Sequence, residues 1–166
     1  MIRVLLDDLA FVPADAVLRP ADDRLQPVTP AGVRLDEMAG PVFAELRRVR
    51  DPLQRGAVVV TGGGDLVAPF VVHCVVQDAE NNADRDILRR VLAAAAQQAD
   101  AWGLSRVATP PIGSGFGLLD LGEAVTLLCE TWRAARGPAD RSLLIVVERP
   151  DDLTIAEGVV RRLAGA

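Results

Sequence analysis

The hydrophobic positions along the chain alternate between the spacing of strands and the spacing of helices. Apolar runs typical of buried strands occupy residues 2–6, 16–18, 56–61, 70–76, 105–108 and 143–147. Apolar residues recur at helical spacing over residues 36–50, 84–102, 120–135 and 152–163. Strands that alternate with helices indicate an α/β fold with a layered sheet, in which ligands bind at the carboxyl ends of the strands.

Glycine and proline residues interrupt this pattern at several points. The Gly40-Pro41 pair should break the first predicted helix near its middle, and Gly103 should end the second. The glycines within residues 62–65 predict a hairpin connection between two strands, with phosphate binding as the alternative. Residues 19–34 combine prolines, a glycine and polar side chains, so we expect a long loop there.

Length and charge narrow the classes of protein. The chain has 166 residues, of which 50% are hydrophobic, so residues 1–166 are expected to form one domain with a substantial core. The formal net charge is -5 and there is no long cluster of lysine and arginine, which argues against nucleic acid as a partner. An acidic protein that binds an anion must do so locally, through backbone amides.

Other features predict a cytoplasmic protein without a metal ion or cofactor. Cys74 and Cys129 stand alone in apolar surroundings, which indicates buried, reduced thiols rather than metal ligands. The chain turns acidic at Asp7, too early for a signal peptide, and no apolar run is long enough to span a membrane. His73, the only histidine, lies within an apolar run and is expected to be a hydrogen-bonded structural residue rather than a general base.

The stretch of residues 109–117 is the strongest candidate for a binding site. It joins a predicted strand to a predicted helix and contains Gly113, Gly115 and Gly117. Glycines adopt positive φ and let backbone N–H groups approach a ligand closely, a geometry that suits phosphate. No Lys-Ser or Lys-Thr follows, and the glycine spacing is not that of a dinucleotide-binding turn. An ordinary connection between a strand and a helix is the alternative.

Four segments, in their order and spacing, resemble the macro domain family. Residues 56–63 read GAVVVTGG, residues 70–75 read FVVHCV and residues 111–117 read PIGSGFG. Residues 39–41 resemble the helix-ending Ala-Gly-Pro of the family. The resemblance spans most of the chain and implies a three-layer α/β/α sandwich with a central mixed sheet. It also implies binding of ADP-ribose and, in some branches of the family, hydrolysis of ADP-ribosyl bonds.

The resemblance assigns roles to residues after the first two strands. Asp8-Leu9 resembles the pair whose carboxylate accepts a hydrogen bond from the adenine amino group, although Asp8 could instead cap a turn. Residues 19–22 read RPAD where the family has Asn-Ala-Ala-Asn, so Asp22 replaces the Asn that orients the terminal ribose in hydrolytic members. Asp22 is thus the candidate catalytic residue, but it lacks the amide donor and would repel a diphosphate.

The resemblance carries over unevenly to the residues that hold the diphosphate. Gly32-Val33 resembles the end of a Gly-Gly-Val loop whose other glycines are absent here. The second loop is complete, and its implied ligand-binding residues are Gly113, Ser114, Gly115, Phe116 and Gly117, with Ser114 adding a hydroxyl donor. Glu148 stands where the family commonly has an aromatic that stacks on adenine, so we expect weaker purine selectivity.

These observations leave three functions open. The leading one is a recognition module that binds ADP-ribose or a related nucleotide diphosphate, with ADP-ribosylated protein as a further partner and without efficient hydrolysis. The second is a hydrolase acting on ADP-ribosylated protein or ADP-ribose esters, in which Asp22 positions water or sugar. The third is a degenerate pocket in a domain with a structural or protein-interaction role, because function must be argued from the site and not from the fold.

Overall fold

The computed structural model describes residues 1–166, which form six strands and four α-helices. The strands are β1 (Ile2–Leu6), β2 (Ala16–Asp22), β3 (Val58–Gly62), β4 (Phe70–Gln77), β5 (Arg106–Thr109) and β6 (Ser142–Val147). The helices are α1 (Pro30–Leu46), α2 (Arg85–Ala101), α3 (Leu121–Ala134) and α4 (Pro150–Ala164). A short 3-10 helix, Leu9–Phe11, follows β1.

All six strands belong to one sheet with the order β1-β6-β5-β2-β4-β3. Every neighbouring pair is parallel except β3 and β4, which form the predicted antiparallel hairpin around residues 63–69. Helices α2, α3 and α4 pack on one face of the sheet, and α1 packs on the other. The fold is therefore a three-layer α/β/α sandwich with a mixed sheet, as the sequence predicted.

The two faces of the sheet each bury their own core because successive side chains of a strand point to opposite faces. In β2, Leu18 joins the larger core under α2 and α3, whereas Val17 joins the core under α1. The interior of β4 is buried on both faces, which explains its nearly continuous apolar run. Helix α2 begins where Asp84 accepts a hydrogen bond from the Ile87 N–H, and its apolar stripe faces the sheet.

The strand predicted over residues 16–18 is longer than expected, because β2 continues through Asp22. Pro20 is tolerated inside β2 because β5 pairs with β2 only as far as Val17, so one side of the later residues has no partner strand. The prediction of a loop over residues 19–34 is therefore wrong at both ends, because β2 extends to Asp22 and α1 begins at Pro30.

Helix α1 begins at Pro30 rather than at residue 36. Thr29 caps it by accepting a hydrogen bond from the Gly32 N–H, and proline is favoured in the first helical turn. The predicted break is confirmed: Gly40 has φ of 79° and interrupts the helix just before Pro41. The break allows the Ala39 carbonyl to accept a hydrogen bond from the Asp65 N–H, 2.9 Å away, in the β3–β4 connection.

Candidate functional site

The main concave site lies at the edge of the sheet where the parallel strands end. Because parallel strands present their carboxyl ends at one edge, the segments after β1, β6, β5 and β2 meet around a cleft of about 550 Å³. The residues that line it are Leu9, Pro20, Thr29, Pro30, Ala31, Pro110, Pro111, Ile112, Ser114, Gly115, Leu121, Val146, Val147, Glu148, Arg149 and Asp152.

The glycine loop after β5 forms the middle of this cleft. Gly113, Gly115 and Gly117 have φ of 111°, 88° and 83°, a region that side-chain-bearing residues rarely adopt. At Gly113 a Cβ atom would also lie only 2.7 Å from the Leu88 side chain. The N–H groups of Gly115, Phe116 and Gly117 donate to no other group of the protein. Consecutive amides left free in a glycine loop form a concave donor site for an anion.

Ser114 is placed in the cleft, but its hydroxyl has a partner within the loop. Its Oγ donates to the Pro111 carbonyl at 2.9 Å, and its N–H donates to the same carbonyl. The hydroxyl therefore stiffens the loop, and the free donors are the backbone amides that follow it. The loop also borders a second cleft, which Phe116 and Gly117 line.

The other phosphate-loop candidate, Gly32-Val33, lies in the first turn of α1. The Gly32 and Val33 amides donate to the hydroxyl and the carbonyl of Thr29, so neither is free for a ligand. Their neighbours Thr29, Pro30 and Ala31 line the cleft in their place. Thr29, Pro30 and Ala31 form one wall of the cleft, which lies close to the glycine loop. A Cβ atom on Gly115 would lie 3.3 Å from Thr29 Cγ2.

Asp8 lies beside the β1 and β6 end of the cleft, next to the lining residue Leu9. One carboxylate oxygen of Asp8 accepts a hydrogen bond from the Ala10 N–H and caps the 3-10 helix. The other accepts two hydrogen bonds from Arg34, at 2.8 and 2.6 Å. These bonds to Asp8 raise the pKa of the Arg34 guanidinium. Asp8 therefore caps the turn, which was the alternative to its predicted role in base recognition.

Two charged residues follow β6 at the same end of the cleft. Glu148 and Arg149 both line it, as does Asp152 in the first turn of α4. The Arg149 guanidinium donates to both carboxylate oxygens of Asp152, at 3.1 and 3.0 Å, which raises the pKa of Arg149. Sequence reasoning singled out Glu148 and missed Arg149, which no pattern distinguishes from other surface arginines.

Asp22 lies outside the main cleft. One of its carboxylate oxygens accepts hydrogen bonds from the Arg24 and Gln26 N–H groups, both at 2.9 Å, and so closes the turn after β2. The neighbouring strand places Gln77 in register with it. Gln77 and Asn81 line the second cleft, of about 290 Å³, together with Phe116 and Gly117 of the glycine loop. The Gln77 Nε2 donates to the Asn81 Oδ1, 3.0 Å away.

A buried polar network is built around Arg19, which precedes the lining residue Pro20 in β2 and which sequence reasoning did not identify as important. Arg19 is fully buried and forms two hydrogen bonds to Asp36, at 2.7 and 2.6 Å. It also donates to His73 Nδ1, 3.1 Å away, so Nδ1 is the acceptor and carries no proton. The proton of the neutral ring is therefore on Nε2, which lies 2.8 Å from the Thr61 hydroxyl. Phe43 stacks on the His73 ring.

The prediction that His73 is structural is confirmed by these contacts. Burial, followed by the charges of Arg19 and Arg47, lowers the pKa of His73 to about 3. A neutral imidazole held between two partners and closed off from solvent cannot act as a base in the cleft. Cys74 and Cys129 are buried free thiols, with pKa values that burial raises to about 12 and about 11.

No three His, Cys, Asp or Glu side chains come close enough together to hold a metal ion. None of the helices combines the length and the apolar character that crossing a membrane requires.

Sequence comparison finds relatives along the length of this chain. An uncharacterised protein of Aeropyrum pernix is 28% identical over 167 residues, covering 99% of this chain and 88% of that protein. An uncharacterised protein of Mycobacterium tuberculosis is 25% identical over 129 residues, covering 78% of this chain. The match spans only 36% of the length of the mycobacterial protein.

Solved structures share the fold. The Oceanobacillus iheyensis macrodomain with ADP has a TM-score of 0.80 at 19% identity and matches over 99% of this chain and 92% of its own. The Trypanosoma brucei macrodomain in complex with ADP-ribose has a TM-score of 0.82 at 20% identity, over 96% and 68% of the two chains. A sequence model of the Macro domain matches residues 24–128, which is more than half of the chain. The chain belongs to the Macro domain family.

Proposed function

We propose that this protein binds ADP-ribose, or a related nucleotide diphosphate, in the main cleft and serves as a recognition module. The observation that carries the proposal is the row of free amides at Gly115, Phe116 and Gly117, which begins in the wall of the main cleft in a protein of net charge -5. In such a protein a diphosphate cannot rely on a general positive field, so local donors must bind it.

The strand order supports the orientation of the ligand. The carboxyl edge of the sheet presents the end of β1 and β6 first, then the glycine loop after β5, then the end of β2 and β4. With the diphosphate on the glycine loop, the base points toward Asp8 and Leu9, and the second sugar points toward Gln77 and Asn81. Structures of the Oceanobacillus iheyensis macrodomain with ADP and of the Trypanosoma brucei macrodomain with ADP-ribose support this choice of ligand class.

We propose recognition without efficient hydrolysis because of how Asp22 is held. One oxygen of its carboxylate accepts hydrogen bonds from two backbone amides of its own turn, and the residue does not line the main cleft. A carboxylate in this position offers no N–H donor to a sugar hydroxyl. Its charge would also oppose the approach of a diphosphate.

The test is a calorimetric titration of the protein with ADP-ribose, ADP, AMP and NAD. We expect ADP-ribose and ADP to bind, and AMP to bind more weakly because it offers one phosphate to the loop. If none of the four ligands gives a binding signal at millimolar concentration, nucleotide binding is refuted. The structural or protein-interaction role then remains as the alternative.

A further inference from the structure

No aromatic side chain lines the main cleft, and Phe11, an exposed aromatic in the 3-10 helix after β1, lies outside its lining. None of the residues that line the cleft is Phe, Tyr, Trp or His. Nucleobases in proteins are nevertheless held by their faces as well as by their edges, and an arginine guanidinium provides a planar face of its own. Arg149 is the only residue lining the cleft that carries such a group.

The contacts of Arg149 fix the plane of its guanidinium. Nε and Nη2 donate in parallel to the two carboxylate oxygens of Asp152, at 3.1 and 3.0 Å. A bidentate pair of this kind uses the edge of the guanidinium and leaves both faces without a hydrogen-bond partner. The side chain is 73% exposed, so a ligand can reach one of those faces.

Position along the sheet edge places Arg149 beside the base rather than beside the phosphates. It follows β6, which pairs with β1 from Leu143 to Val147, and the chain after β1 carries Asp8 and Leu9. The free amides of the phosphate loop follow β5 on the other side of β6. Asp152 already neutralises the Arg149 charge, which makes a second role as a phosphate clamp less favourable.

We propose that Arg149 stacks its guanidinium face on the base of the bound nucleotide and that Asp152 positions it for this contact. The inference rests on the nucleotide-binding function proposed above. It assigns to the cleft a planar nitrogen heterocycle, with preference for purines because their two rings cover more of the guanidinium face. Stacking on a cation is tolerant of ring substituents, so the edge contacts to Asp8 remain the source of finer discrimination.

The experiment compares ADP with UDP, which share the diphosphate and differ in the base. The variants are Arg149→Ala, Arg149→Lys and Arg149→Phe in the full chain, with affinities from calorimetry. The Arg149 side chain makes no capping bond to α4, so these substitutions spare the helix start. Arg48→Ala is the matched control, because Arg48 is 75% exposed, forms one surface ion pair and lines none of the clefts described.

Stacking predicts a base-dependent loss. Arg149→Ala should weaken ADP binding about tenfold and UDP binding less, so the ratio of the two affinities falls. Arg149→Lys should behave like Ala, because it keeps the charge and loses the plane, and Arg149→Phe should restore the ratio. Asp152→Ala should reduce the ratio in part, since it releases the guanidinium.

Other results overturn the inference in distinguishable ways. Wild-type affinity in Arg149→Lys, or equal losses of ADP and UDP in Arg149→Ala, would assign Arg149 to the phosphates. If wild-type protein binds ADP and all Arg149 variants match Arg48→Ala, the nucleotide function stands and the role of Arg149 is refuted. If wild-type protein binds neither nucleotide, the proposed function and this inference fail together.

Discussion

Thr29 and Gly115 meet across the cleft: Cγ2 of Thr29 lies 3.3 Å from the position that a Cβ atom would occupy on Gly115. The same threonine caps α1 with its hydroxyl, so its side chain cannot move away without disturbing the helix start. Thr29 therefore forms a fixed wall opposite the free amides of the glycine loop. Only a residue without a side chain lets the glycine loop approach this wall so closely.

The first prediction is that Gly115→Glu abolishes nucleotide binding. A carboxylate about 6 Å from a diphosphate is repelled by roughly 3 kcal/mol at an effective dielectric of about 20, equivalent to a loss of about a hundredfold in affinity. The positive φ of 88° adds a conformational cost of about 1–2 kcal/mol for any side chain. Calorimetric titration with ADP-ribose measures the effect.

Gly103→Glu is the matched control for this change. Gly103 also has a positive φ, of 68°, and lies after α2, outside the cleft, where a Cβ atom would meet open space. It should lose similar stability in thermal denaturation and keep wild-type affinity. Unchanged affinity in Gly115→Glu would place the ligand elsewhere.

The second prediction separates the two roles of Asp8. Asp8→Ala should weaken ADP binding about tenfold, the usual value of a hydrogen bond to a charged group, and leave UDP binding nearly unchanged. Arg34→Ala removes the ion pair but keeps the carboxylate and its bond to the Ala10 N–H, so it should retain the preference for ADP. Equal losses for both nucleotides in Asp8→Ala would indicate that Asp8 acts only as a cap.

The third prediction concerns hydrolysis. Wild-type protein and Asp22→Ala should both fail to release ADP-ribose from an ADP-ribosylated protein at a rate above the uncatalysed one, because Asp22 closes its own turn. Chromatographic detection of free ADP-ribose provides the measurement. Release by the wild-type protein that disappears in Asp22→Ala, with unchanged ADP-ribose binding, would establish the hydrolase instead.

The fourth prediction is a loss of stability in acid that depends on His73. The folded pKa is about 3 because of burial and the charges of Arg19 and Arg47, whereas an unfolded histidine has a pKa of 6.5. Between these values the unfolded state binds more protons, so the stability present above about pH 6.5 falls as the pH decreases. The slope approaches at most about 1.4 kcal/mol per pH unit.

Urea denaturation between about pH 7 and pH 5 tests this prediction. His73→Gln cannot take up a proton, so its free energy of unfolding should change less over this range, even if it starts lower because the contacts to Arg19 and Thr61 are disturbed. Parallel slopes in the two proteins would exclude His73 as the source.

The sequence predicted most of the elements because their signals are local. The apolar run of β4, the period of α2 and the break at Gly40 each depend on neighbouring residues. The start of α1 was missed because Pro30-Ala31-Gly32 has the composition of a loop, although Thr29 followed by proline is also a signal for the start of a helix.

Sequence patterns pointed to parts of the candidate site only where its residues are contiguous. The loop of residues 113–117 stands out in the sequence because its glycines are close together, and its role as an anion site stays a prediction. The partners of Arg19 lie 17 and 54 residues away, so its burial could not be read from its neighbours. The same holds for Thr29, whose place opposite Gly115 depends on how β2 and β5 are arranged in the sheet.

The pairing of β1 with β6 has a consequence for how the cleft is held together. Strand β1 has no neighbour in the sheet other than β6, so Asp8 after β1 and Arg149 after β6 are brought together by this one pairing. The strand before the glycine loop, β5, is held from both sides by β2 and β6. Fraying of β1 would therefore separate the two residues proposed to contact the base while β5, which leads to Gly115, keeps its place in the sheet.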